Sequence, residues 1–336
     1  MTDTALKNAP VVSQWLLIAA FAVLYIVWGT SYIGIHFATE TIPGFLMSGL
    51  RFLIAGSILF TIAKRSGAPM PSRAQWKSAL IAGFLLFVLN NAGIVWAQSN
   101  GLPTGISALM IATTPLFFVL IAWVRGTKPT RPVFMGMLIA LLGIALLIDP
   151  ATFVSDVNMH PIAPFVVLVA AFTWALGSLY ARDANLPGSA PMSTGMQLLA
   201  GGAFQLILSL VTGELSAFDV STVSAQSVFA MLYLAVMSSV ITFTAYVWLM
   251  RVAPAAQVAT YAYVNPVIAL ILGALLANEV IGPRTLIAAM VIISGVVIIN
   301  IGKNRARSEP QLQPQSAVLE TAVASDDVAY AKPKTY

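Results

Sequence analysis

Residues 103–123, PTGISALMIATTPLFFVLIAW, run for 21 positions without a charged side chain. A helix of that length crosses a hydrocarbon core of about 30 Å. Pro103 opens the stretch and Pro115 follows 12 residues later. A second stretch, residues 254–277, PAAQVATYAYVNPVIALILGALLA, has the same plan, with Pro254 and then Pro266 12 residues on. A proline inside a helix removes one backbone hydrogen bond and bends the axis. In a membrane the freed carbonyl must face protein or a wet cavity. Two such interruptions at matching places point to a central binding site in a bilayer-spanning bundle. The plainer alternative is that they only curve packed helices.

Outward from these two, further apolar runs cover 15–37, 44–63, 77–97, 132–149, 162–181, 192–212, 226–249 and 284–302, making ten spans. The first follows Lys7, is too long for the apolar region of a signal peptide and lacks a small-x-small cleavage site, so it reads as a retained helix. Composition agrees. The 336 residues are 59% hydrophobic and 9% charged, where a soluble domain carries about 25% charge. Mean hydropathy is +0.88. A soluble enzyme and a disordered chain are both excluded as classes. With no cysteine, disulfides and thiolate metal sites are absent.

The charges sort by side. With ten spans and cytoplasmic termini, 15 of the 17 basic residues fall in the cytoplasmic set, Arg284 falls outside, and Arg51 lies within a span. The positive-inside rule therefore accounts for the basic pI of about 9.5 without any nucleic-acid partner. The expected localisation is a bacterial inner membrane, multi-pass, with both termini cytoplasmic. Residues 308–336, rich in Gln, Pro, Ser, Ala and Asp, read as a disordered tail. The basic cluster at 303–307 reads as a topology anchor.

An offset near 150 residues overlays the two halves. Arg51 and Gln197 each follow a tryptophan, Trp28 and Trp174, by 23 residues, and Leu53-Ile54-Ala55-Gly56 matches Leu199-Ala200-Gly201-Gly202. Five spans per half is an odd number, so the halves must be inverted relative to each other. The expected fold class is an all-α membrane protein of ten transmembrane helices in two inverted five-helix repeats. The expected division is 1–14 as cytoplasmic N-terminus, 15–149 and 150–302 as the repeats, and 303–336 as tail.

Five features carry a family resemblance: Trp28-Gly29-Thr30-Ser31-Tyr32, Arg51-Phe52-Leu53-Ile54-Ala55-Gly56, the run from Pro103 to Pro115, the run from Thr260 to Pro266, and Glu279. With them, residues 15–302 resemble the ten-helix EamA family of the drug/metabolite transporter superfamily, nearest its YedA-type inner-membrane branch. The resemblance implies export of amino acids, other metabolites or toxic compounds, and names no substrate. One departure stands out: Arg125-Gly126-Thr127 occupies the place where the second half has Asn278-Glu279.

Candidate lining residues follow from polarity and helical spacing. Gln257, Tyr261 and Asn265 share one face, and a polar stripe facing lipid would be costly. Ser239, Thr242 and Tyr246 make a similar stripe, as do Gln197, Gly201, Gln205 and Ser209, though interhelical hydrogen bonding needs the same residue types. The matching face of the fourth span, Ile106, Met110 and Thr114, is mostly apolar. Trp28, Ser31 and Tyr32 in the first span and Trp174 in the sixth either line a pore or pack. Of the buried amides Asn90 and Asn91, at least one should face the interior. Arg51, the one charge well inside a span, has three readings: a contact for substrate carboxylate, snorkelling to the outer surface, or a staple to Glu40 or to carbonyls. The site set is thus Trp28, Ser31, Tyr32, Arg51, Asn91, Thr114, Pro115, Trp174, Tyr246, Gln257, Tyr261, Asn265 and Pro266.

No Asp or Glu lies at the centre of a span, so exchange of organic cations for protons is disfavoured. No phosphate-binding, metal or cofactor motif is present, and no cofactor is expected. The reading is a non-enzymatic secondary transporter, a monomer or homodimer in the lipid bilayer, exporting a small neutral, zwitterionic or anionic metabolite by alternating access. The rivals are a membrane-embedded lipid-modifying enzyme and a non-transporting sensor or scaffold.

Overall fold

In the computed structural model of the chain, residues 13–147, 159–253, 258 and 260–308 are described. Residues 1–12 of the expected N-terminal segment, 309–336 of the expected tail and Gln257 lie outside them, whereas 303–308, expected as tail, continue the last helix. Helix α1 spans Gln14–Thr39, α2 Gly44–Arg65 and α3 Arg73–Ser99. The fourth apolar run is two helices, α4 Thr104–Ile111 and α5 Thr114–Val124. Next come α6 Arg131–Leu147, α7 Ala163–Asp183 and α8 Ala190–Val211. Helix α9 begins at Ala225 and ends at Val252, α10 spans Tyr261–Leu276, and α11 spans Pro283–Ser308. Among the described residues no strand occurs. Eight helices, counting α4 and α5 as one, are long and apolar enough to cross a membrane, and α6 and α10 are shorter apolar helices. Val211, Phe229 and Leu275 are each more than 70% exposed. Such side chains suit lipid rather than water.

Matching features recur in the two halves. Helices α3 and α9 both start at a serine cap, Ser72 and Ser224, whose hydroxyl accepts a backbone N–H three residues on. Both then pass through nine residues of π-helix, Phe84–Ala92 and Leu234–Thr242, 150 residues apart. After α5 the chain turns at Gly126 with φ 95°, and after α10 at Asn278 with φ 53°. Asn is among the few side chains that tolerate this left-handed conformation.

The packing partners match as well. Helix α1 packs on α9 and α10 of the other half, and α7 packs on α3, α4 and α5. Two seams join equivalent helices. Along α2 and α8, a methyl group on Gly56 would lie 2.8 Å from the Leu199 nitrogen, and one on Gly202 2.9 Å from that of Leu53. Along α6 and α11, Gly136 and Gly295 meet backbone to backbone in the same way. Small residues permit this approach, which gives dispersion contact where lipid supplies no hydrophobic drive. The small residues of α6 are therefore used within the chain.

Hydrogen bonds gather five loops on one face. Ser224 N–H donates to Thr41 Oγ1 at 3.1 Å, and His160 N–H to the Asn100 carbonyl at 2.9 Å. Glu214 accepts from the amides of Phe45 (2.9 Å) and Leu46 (3.0 Å) at the start of α2. Glu279 accepts from those of Thr104 (2.6 Å) and Gly105 (3.2 Å) at the start of α4. Each carboxylate satisfies amides that a helix start leaves open, and its charge complements the helix dipole.

Candidate functional site

The two prolines act differently. In the fourth run the helix breaks at Ala112 and Thr113, and Pro115 stands in the first turn of α5, where its missing N–H is not needed. The Ile111 carbonyl, four residues before Pro115, accepts from the Thr114 hydroxyl at 2.6 Å, and the Met110 carbonyl from that of Thr113 at 2.5 Å. Pro266 lies inside a continuous α10. It has no N–H to offer the carbonyl of Ala262, and Ala262 borders the central cavity. The Asn265 amide nitrogen donates across to the Tyr25 carbonyl at 3.1 Å and along its own helix to that of Tyr261 at 3.2 Å. Asn265 thereby ties α10 to α1.

Between these helices lies a cavity of about 660 Å³. It runs from the level of Arg51 and Asn265 to Thr127–Thr130 and Arg182, on the face opposite Glu214 and Glu279. Twelve of the thirteen sequence candidates border it: Trp28, Ser31, Tyr32, Arg51, Asn91, Thr114, Pro115, Trp174, Tyr246, Tyr261, Asn265 and Pro266. Gln257 lies outside the described residues. One wall is aromatic. The Trp28 ring lies 5.3 Å from Tyr246 and 5.1 Å from Tyr261 between centroids, with Phe243 at 6.1 Å. The opposite wall, from the fourth run, is apolar but differs from the expected one. Met110 is fully buried and Ile106 packs in the core behind the cavity, while Ala108, Ile111, Ala112 and Phe118 face it. A three- or four-residue periodicity does not hold across a helix break.

Arg51 is 6% exposed. Its Nε donates to Ser239 Oγ at 3.0 Å and its Nη2 to Ser238 Oγ at 3.1 Å, both in the π-segment of α9. Its Nη1 is buried and has no hydrogen-bond partner. The Glu40 staple is not formed. Glu40 instead lies 3.8 Å from His36. Arg51 also does not snorkel, because α9 covers it. Ser238 joins the charge to the rings, since its carbonyl accepts from Trp28 Nε1 at 3.4 Å.

The polar stripe of α8 is structural. Gln205 Nε2 donates to the Phe87 carbonyl at 2.5 Å and to Asn91 Oδ1 at 3.3 Å, filling the π-segment of α3. Asn90 donates to the Ala170 carbonyl at 2.8 Å. The hydroxyl of Ser31 is spent on a carbonyl of its own helix and that of Thr114 on the last carbonyl of the preceding helix. No hydrogen bond among the described residues engages the hydroxyls of Tyr32, Tyr246 or Tyr261, which leaves them free for a solute. Ser238 and Asn300 also border the cavity and were not singled out from sequence. The doublet Ser238-Ser239 within an apolar run was the available signal. Asn300, an amide in the apolar part of α11, donates to the Tyr263 hydroxyl.

The cavity can hold a small solute between rings, amides, hydroxyls and one guanidinium. Among the described residues no Asp, Glu or His borders it. Among the described residues no group of three or more metal-ligating side chains occurs.

Comparison with known proteins places this geometry among transporters. The model of the EamA-like transporter family matches residues 14–149 and 161–301. The chain is 32% identical over 299 residues to the "Uncharacterized inner membrane transporter YedA" of Escherichia coli K12, covering 89% of this chain and 95% of that protein. It is 23% identical over 290 residues to the "Probable amino-acid metabolite efflux pump" of the same organism, covering 81% and 91%. A crystal structure of a protein 19% identical covers 85% of this chain and 96% of its own, with a TM-score of 0.59, a likeness of fold.

Proposed function

The chain belongs to the EamA-like transporter family, and from that premise we propose that it is a secondary transporter exporting a small neutral, zwitterionic or anionic metabolite across the bacterial inner membrane. Ten helices form two inverted five-helix repeats, 15–149 and 150–302, with both termini in the cytoplasm. The repeats rock about the central cavity in alternating access. The observation that carries this reading is a cavity of about 660 Å³, lined by aromatic, apolar and polar side chains and extending to Thr127–Thr130 and Arg182 at one face. The seams of α2 with α8 and α6 with α11, and the exchanged packing of α1 and α7, support paired halves that move against each other. The naming of one relative as an efflux pump supports the direction.

The test is counterflow into liposomes carrying the purified protein, with a panel of amino acids, organic acids, nucleosides and dyes. At least one solute should exchange, and Asn265→Ala should lower its flux with membrane expression unchanged. Absence of flux for every solute, with turnover of a lipid, would sink the proposal.

A further inference from the structure

Among the described residues, every charged side chain bordering the cavity is basic: Arg51, Lys128 and Arg182. Arg182 has its own acid, with Nε 2.9 Å from Asp183 Oδ1, and Lys128 stands exposed at the mouth. Arg51 is different. It is more than nine-tenths buried, and its hydrogen-bond partners are two neutral serine hydroxyls. Serine can orient a guanidinium but cannot neutralise it. A buried cation without a counter-ion is costly, and a buried N–H without an acceptor adds to the cost. Both deficits end if a solute brings a carboxylate to Arg51. A cavity whose charges share one sign also draws anions into it.

The rest of the cavity defines the body attached to that carboxylate. The ring cluster of Trp28, Tyr246 and Tyr261 adjoins Arg51 through the one residue Ser238. It offers flat apolar surface within one small molecule's length of the guanidinium. An ammonium group would find no carboxylate there among the described residues.

We infer that the substrate is an organic monocarboxylate with an aromatic or apolar body, its carboxylate paired with Arg51 and its body laid on the Trp28, Tyr246 and Tyr261 rings. The inference deepens the transporter reading and rests on it. A structural staple would need only the two serine bonds. It would not need the partnerless Nη1 beside a cavity free of acids.

Four probes share one phenylpropyl body: 3-phenylpropionate, L-phenylalanine, 3-phenylpropanamide and 3-phenylpropylamine. Their binding to the purified full chain in detergent would be measured by calorimetry, with flux of each measured in liposomes. The propionate should bind at least about tenfold tighter than the amide and the amine, and tighter than phenylalanine. In Arg51→Gln the propionate should fall to the level of the amide, with the amide unchanged. Equal binding of propionate and amide or amine by the unaltered protein overturns the inference. So does tighter binding of phenylalanine, or no binding of any probe, and none of these results depends on a variant that folds. Equal loss of all four probes in Arg51→Gln overturns it as well, since a staple alone would do that. Propionate binding without flux would sink the transporter reading and leave the anion site standing. Flux of uncharged probes alone would do the reverse.

Discussion

Asn265 shows how much one amide can hold. It spans α10 and α1 through carbonyls of Tyr261 and Tyr25, which also belong to the backbone ladders of their own helices. Asn265→Ala removes both side-chain bonds, at about 0.5–1.5 kcal/mol for each. A lower melting temperature together with lower flux is expected. Unchanged values of both would take Asn265 out of the site. Glu279 is the second such residue. Gly273 lacks a side chain where the Glu279 carboxylate sits, so a methyl group there would overlap it. Gly273→Ala should thus reproduce most of the roughly 0.5–2 kcal/mol lost by Glu279→Gln. The double variant should add little, and full additivity in thermal melts would break that link. Residues of this kind were legible in the sequence because polarity inside a span demands a partner. That demand brought out Arg51, Tyr261 and Asn265. Ser238 escaped because a serine in such a helix ordinarily bonds a carbonyl of its own helix, even beside a second serine. Nothing local reveals that a charge two helices away needs it.

At the scale of elements, spans were read from length and apolarity, and the described helices start and stop within about four residues of that reading, except that α10 begins at Tyr261 rather than 254 and α11 runs on to Ser308. The interruptions were not readable. Nothing in FLLFVLNNA or LAVMSSVIT, the two π-segments, separates them from ordinary helix by composition. Their identity lies in the packing of α7 and α8 on one and of α1 and α2 on the other. Likewise Pro115 and Pro266 look equivalent, yet one starts a helix and the other sits inside one. The threonine pair 113–114 supplies hydroxyls at the first and has no counterpart at Val264-Asn265. The glycine seams give the sharpest test at this scale. A methyl group on Gly202 meets backbone atoms of Leu53 and Gly49, which cannot rotate away, while one on Gly188 meets nothing within 4 Å. Overpacking of this kind costs about 1–3 kcal/mol. Gly202→Ala should lower the melting temperature by several degrees and Gly188→Ala should leave it in place. The same value for both would show that the α2–α8 seam is loose.

For the whole molecule, the distribution of basic residues was the most legible property. The loops that it assigns to the outer side are the ones hydrogen bonds gather on a single face. The absence of cysteine makes this measurable, because a cysteine introduced at any site labels against no background. In intact cells an impermeant maleimide should label Glu40→Cys and spare Thr130→Cys. In inverted vesicles the pattern should reverse, and Thr114→Cys should label through the cavity mouth. Labelling of Thr130→Cys from outside would overturn the proposed orientation.

The two carboxylate caps sit on one face only. Glu214 and Glu279 both come from the second half and both clasp the start of a first-half helix, α2 and α4. On the opposite face the equivalent turn holds Arg125-Gly126-Thr127, with no acid to clasp anything, and there the cavity is open. Two identical inverted halves would be balanced, idling as readily with one door open as with the other. Here one door has a pair of bolts and the other has none. In the proposed alternating-access cycle the molecule waits open toward the side that holds Lys128, and these two caps are released before the far side opens.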